Sequence, residues 1–218
     1  MSFLNGLIGK AAKLEKSLRG YLHFAFPHAG EGVDLSEVQR AENLAFFLAV
    51  KDERCRQFIT TMAASGVQLP EPAAVTDHRQ LSHTLDAFSR STLSHVRQID
   101  RICAPYWRAR RPEGREAEIF SFVIDLGIYC GECARHTPFG FDWRIDDTRY
   151  RRSEVMPTAG CVTLSHISSL GPTHYRLYHD ILGWAMFQTA QDARANAGKT
   201  IRPVNSFAFL NDLMDGRY

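Results

Sequence analysis

The sequence predicts an α+β fold, mainly helical, with a small two- to three-stranded antiparallel sheet in the C-terminal half. Three observations lead there. Apolar residues recur at helical spacing over most of the chain up to Arg135. From Phe141 onward, short runs alternate apolar and polar side chains, the period of a half-buried strand. Clusters of Gly and Pro punctuate both kinds of run. The boundaries that follow are a helical region over 1–115 and a helix–sheet–helix region over 116–218. A chain of 218 residues is long enough to join the two in one compact domain.

The first helix covers 3–19, where Phe3, Leu4, Leu7, Ile8, Ala11, Leu14 and Leu18 share a stripe. Lys10, Lys13, Lys16 and Arg19 outweigh Glu15 between them. That helix either packs on the body of the protein or lies on a membrane surface or partner. No unbroken apolar core marks it as a signal peptide. Pro27, Gly30 and Gly32 make 20–33 a loop. Asp34-x-x-Glu37 has the form of a capping box and opens a helix to Val50. Another helix spans 52–64 and stops at Gly66, before the Pro70–Pro72 linker. A long helix follows from His78 to Trp107, frayed by Pro105. The arginines of "RARRPEGRE" suit a solvated loop at a helix C-terminus, with a phosphate contact as the alternative.

Glu116–Arg135 reads as one helix. At about 100° per residue its apolar side chains fill an arc of roughly 200°. Glu118, Ser121, Asp125, Glu132 and Arg135 fill the other side, as solvated or mutually paired charges. Cys130 and Cys133 form a C-x-x-C within the apolar arc. A redox pair needs the N-terminal end of a helix, where the dipole lowers a thiol pKa; this pair lies near the other end. A zinc site would need His136 and a further ligand, Cys161 or His166. Buried core thiols are the simpler reading. Gly127 and Gly131, one turn apart, make a flat strip that another element can approach closely, and the sheet that follows is the expected neighbour.

Strands are expected at Phe141–Asp146, within Thr148–Val155, and at Cys161–Ile167. Gly171-Pro172-Thr173 then starts a final helix over Thr173–Asn196. The tail from Ile201 holds a short helix at most.

The stretch "DLGIYCGECARHTPFGFDWRID" resembles a pattern found in uncharacterised bacterial domains. There a helix reading L-G-x-Y-x-G-E is followed by a Gly-containing loop and a strand with Trp. Leu126, Gly127, Tyr129, Gly131, Glu132, Gly140 and Trp143 carry the match, within residues 119–167. Some such domains stand beside bacterial toxin systems as immunity proteins. The resemblance implies no catalytic residues.

The function classes narrow accordingly. No nucleophile elbow, phosphate-binding loop, metalloprotease helix or dinucleotide fingerprint is present. A net charge of +2 gives no overall pull towards nucleic acid. The five scattered cysteines suit a reducing cytoplasm, and no cofactor is expected. Between Asp142 and Glu154 acids and arginines alternate around two aromatics. Trp143, Arg144, Asp146, Asp147, Arg149, Tyr150, Arg151 and Arg152 are the residues chosen there for binding a protein partner. The reading is a non-catalytic, cytoplasmic protein-binding protein whose partner, by the resemblance, is a toxin. Two alternatives stand beside it: an enzyme using Cys161 with His166, His174 or His179, and a zinc-supported module built on Cys130, Cys133 and His136.

Overall fold

The computed structural model describes residues 2–103, 107–147, 158–168, 175–199 and 207–217. Among them seven α-helices and three strands follow one another: α1 (Ser2–Ser17), α2 (Glu37–Ala64), α3 (His78–Ser91), α4 (Ile99–Ile102), α5 (Gly114–Arg135), β1 (Asp142–Ile145), β2 (Val162–Ser168), β3 (Tyr175–His179), α6 (Ile181–Asn196) and α7 (Ala208–Met214). The strands form an antiparallel sheet in the order β1-β2-β3. The fold is α+β and mainly helical, with the sheet in the C-terminal half. One apolar cluster runs from Leu14 to Met214 and takes residues from both the helical region and the helix–sheet–helix region.

α5 is the axis. Every residue from Ile119 to Ala134 is buried, the polar ones included. A helix is enclosed on all sides when neighbours pack around it, and α5 is met by α2, α4, α6 and α7. This corrects the two-faced helix expected from the sequence. Asp125 and Glu132 lie inside and are paired there, rather than facing solvent.

The glycine strip on α5 performs its expected role, with two different neighbours. A Cβ on Gly131 would overlap the indole of Trp143 in β1. One on Gly127 would sit 3.0 Å from the Ile181 carbonyl and the Leu182 Cα, at the start of α6. Sheet and helix both approach the axis at hydrogen-only positions.

α2 is a single 28-residue helix, about 42 Å long at the usual rise, where two helices were expected. The apolar stripe falters at Lys51–Arg54 because Lys51 and Arg54 face carboxylates of α5, so a buried polar contact imitates a helix boundary. No Gly or Pro interrupts the run. The capping box belongs to Ser36 and Gln39: Ser36 Oγ accepts from the Gln39 N–H at 3.3 Å, and Gln39 Oε1 accepts from the Ser36 N–H at 2.9 Å. The expected box at Asp34 is two residues early, because Gly32–Asp34 winds as a 3-10 turn.

The long helix expected over 78–107 is broken. α3 ends at Ser91, a 3-10 turn follows at Leu93–His95, and Gln98 takes a left-handed φ of 62° before α4. Hydroxyls cluster at the break and compete for backbone groups, as Ser94 does on the Arg90 carbonyl. Asn196 at the end of α6 closes the gap through Ser94 Oγ at 2.5 Å.

β3 occupies the first third of what reads as the final helix. Gly171-Pro172 looks like a helix start, yet the N-cap is Asp180, whose carboxylate accepts from the Gly183 N–H at 3.0 Å. The strand expected within Thr148–Val155 lies outside the described residues. α1 docks through Ala11 and Leu14, with Leu18 just beyond its end; each of the two leucines contributes about 2 kcal/mol of apolar burial. α7 seals the bottom of α3, where Ser82 Oγ donates to the Phe207 carbonyl at 3.2 Å.

Gly131→Ala should destabilise the protein by about 2 kcal/mol through overpacking against Trp143. Gly9→Ala, with open space around its Cβ, should be neutral or stabilising by up to about 1 kcal/mol. Urea denaturation of the two variants beside the native chain checks the contrast.

Candidate functional site

The sheet has two unlike faces because side chains alternate along each strand. Trp143 pairs with Leu164, and Leu164 with His179; these three and Val162 face the helices. Asp142 pairs with Ser165 and Ser165 with Tyr178, so the opposite face carries Asp142, Arg144, Thr163, Ser165, Arg176 and Tyr178. Arg144 is 48% exposed and reaches Asp142 at 3.3 Å. Asp147, 65% exposed, accepts from Arg176 at 3.0 Å and from the Tyr178 hydroxyl, linking the end of β1 to β3 across the sheet.

The residues chosen from the sequence therefore divide. Arg144 and Asp147 lie on this outer face. Trp143 is only 2% exposed: its ring packs 4.6 Å from Phe47, and its Nε1–H donates to Glu132 Oε1 at 2.6 Å. It is a core anchor of β1, not a surface contact. Asp146 is 1% exposed and braces its own hairpin, accepting from Thr158 Oγ1 at 2.8 Å while its carbonyl accepts from the Gly160 N–H. Arg149, Tyr150, Arg151 and Arg152 lie outside the described residues. Arg176 and Tyr178 fall outside the surface expected from the sequence, because "HYRLYHD" reads as the opening of a helix; its two-residue alternation is the signal that points to them.

Behind the sheet, α2 and α5 share a polar seam. Arg54 Nε donates to Asp125 Oδ1 at 2.8 Å, and Tyr21 Oη donates to Asp125 Oδ2 at 2.5 Å. Arg54 Nη1 also donates to the Leu22 carbonyl at 2.7 Å, and the guanidinium stacks over Tyr21 and Phe24. Two turns on, Glu132 takes Lys51 at 3.3 Å, Arg135 at 2.8 Å and the Trp143 indole. Burial pushes the Asp125 carboxyl up to about 7, against the pull of Arg54 and Tyr21. The same burial, with Asp125 alongside, keeps Tyr21 a phenol.

All five cysteines are buried thiols. Burial raises the Cys130 and Cys133 thiols above their ordinary range, so they are protonated core groups. His136 is exposed at the end of α5. Among the described residues no group of three or more His, Cys, Asp or Glu is placed to hold a metal. Cys161 neighbours Gly32, Arg108, Asp146 and Asp180. His166 lies five residues along the strand, about 16 Å away at the usual rise. It stacks on His179 instead, with centroids 5.6 Å apart, and both rings pack on Phe141. His174 lies outside the described residues. No helix among the described residues is long and apolar enough to cross a membrane.

No family model matches the chain, and no curated protein or solved structure is significantly similar to it.

A half-buried histidine and a buried carboxyl set opposite pH dependences. Burial lowers His179 to about 4, with His166 beside it adding to the effect, so its stability contribution is present above about 6.5 and lost as pH falls through 4. Asp125 is raised, so its contribution is present below about 4 and lost as pH rises through 7. Asp125→Asn should leave the effect of His179 unopposed. Its unfolding free energy should fall more steeply than that of the native chain between pH 7 and pH 4, by chemical denaturation; parallel slopes would contradict this.

Proposed function

We propose that this chain is a non-catalytic bacterial protein that acts in the cytoplasm by binding a protein partner, and that the partner is a toxin which it neutralises by occlusion. The observation that carries the reading is the outer sheet face, where exposed arginines, acids and a tyrosine alternate on a rigid support. Arg and Tyr are enriched at the energetic centres of protein interfaces, and charges of both signs select a partner of complementary pattern. The support matters as much as the contacts. Thr163 and Ser165, in the middle of this face, are buried, so the surface open to a partner is its rim of Asp142, Arg144, Asp147 and Arg176, and Trp143 locks β1 from behind. The likeness to domains found beside toxin systems supplies the class of partner. A net charge of +2 favours a protein over nucleic acid, and neither cofactor nor chemical step enters the scheme.

The test begins with purification of the chain from its native cell and identification of a stoichiometric partner. That partner should arrest growth when expressed alone and not when expressed with this chain. Arg144→Glu combined with Arg176→Glu should weaken binding by roughly a hundredfold through charge reversal. It should move the melting temperature little, because exposed ion pairs contribute about 0–1 kcal/mol. A partner that binds the double variant as tightly as the native chain contradicts the assigned surface. A partner that leaves growth unaffected contradicts the toxin.

A further inference from the structure

α2 carries a face that its surroundings leave open. At about 100° per residue, its inward side centres on Phe47, Lys51, Arg54 and Phe58, all buried. Val38, Ala41, Ala45, Leu48 and Ala49 fall on the opposite side. All five are exposed, Val38 at 67% and Leu48 at 43%. The outer side of a surface helix ordinarily carries charged and polar side chains. Here it is apolar for about three turns, roughly 17 Å at the usual rise. Ala41, Ala45 and Ala49, one turn apart, keep the middle of the row shallow, with Val38 and Leu48 standing near its two ends. A second helix can approach such a row closely, because the side chains at the contact set the distance between helix axes.

The surroundings of the row are acidic. Glu37 and Glu42 border it on either side, and Asp52 and Glu53 close its far end. Glu31 and Asp34 precede it, and all six acids are exposed. Over the same stretch the cations are Arg40, Lys51 and Arg56, with Arg54 matched inside by Asp125. Six acids against three cations leave an excess of negative charge, and Lys51 is shared with Glu132. Arg56 pairs with Glu53, while Arg40 turns to the Gly32 and Val33 carbonyls. Glu31, Asp34 and Glu37 have no cation partner among the described residues.

Apolar row and acidic rim together select the occupant. An anionic membrane would be repelled by the rim. A second copy of the chain is no better matched. Antiparallel docking centred on Ala45 sets Glu37 against Glu53 of the other copy and Val38 against its Asp52. Parallel docking sets each acid beside its own image. An apolar seam flanked by lysines or arginines matches both row and rim. We propose that the outer face of α2 is a docking site for a cationic amphipathic helix of a partner protein. The proposal is separate from the sheet face assigned above and does not rest on it.

The probe is a fluorescein-labelled peptide of about three Leu-Lys-Lys-Ala-Leu-Lys-Lys heptads, followed by fluorescence anisotropy on the full chain. The same peptide with Glu in place of Lys is the control. The lysine peptide should bind saturably with a Kd at or below about 100 µM, and more weakly as salt rises. The glutamate peptide should not bind in that range. Ala45→Gln combined with Leu48→Gln covers the row with polar side chains and keeps a good helix former at each position. That variant should bind the lysine peptide about tenfold or more weakly, with an unchanged melting temperature, because both positions are exposed. Its charge is that of the native chain, so the loss reports contact with the row rather than attraction to an acidic surface. Failure of the lysine peptide to saturate, equal binding of the glutamate peptide, or undiminished affinity in the double variant would each overturn the proposal. So would a dimer of the native chain, or its binding to phosphatidylglycerol vesicles, that the double variant abolishes.

Discussion

Two opposite charges held out of water, Arg54 on α2 and Asp125 on α5, decide how the two longest helices meet. If the pair parts, the Arg54 guanidinium is left as a buried charge without a carboxyl partner, which costs several kcal/mol, while the Asp125 carboxyl, already raised to about 7, can take a proton. The pair therefore selects one register of α2 on α5 among the many that apolar side chains alone would permit. It also recruits the segment before α2. Tyr21 donates to the carboxylate and the Leu22 carbonyl accepts from the guanidinium, so the chain leaving α1 is fastened to the same point.

The seam continues into the sheet. Two turns along α5 from Asp125, Glu132 gathers Lys51, Arg135 and the Trp143 indole. Trp143 can reach it because Gly131 leaves room for the ring. With Trp143 fixed inward, strand alternation turns Asp142 and Arg144 outward, and the register with β2 and β3 sets Arg176 and Tyr178 beside them. The character of the exposed face is thus dictated from inside, through one glycine, one glutamate and one indole.

Much of this was legible in the sequence, and the failures share a cause. The glycine strip, the buried cysteines, the existence of α5 and the antiparallel sheet all follow from periodicity and residue size. What could not be read was polarity in the interior. Lys51 and Arg54 looked like a helix boundary, and Asp125 and Glu132 looked like a solvated face. Charge signals exposure until a partner of opposite sign, distant in the chain, comes to meet it. Trp143 misled in the same way: an aromatic among charges resembles a binding anchor, and its indole N–H was spoken for by a residue eleven positions earlier. β3 was hidden by Gly171-Pro172, a helix-start signal that outweighed the short alternation after it.

A double-mutant cycle on the central pair tests this account most directly. Unfolding free energies would be measured for Arg54→Met, Asp125→Leu and the two combined. Asp125→Leu should cost about 3–5 kcal/mol, because it strands the Arg54 guanidinium; Arg54→Met should cost less, because Asp125 can take a proton; and the combined variant should cost far less than the sum. A cost under about 1 kcal/mol for Asp125→Leu, or costs that simply add, would mean that the pair does not set the register of α2 on α5.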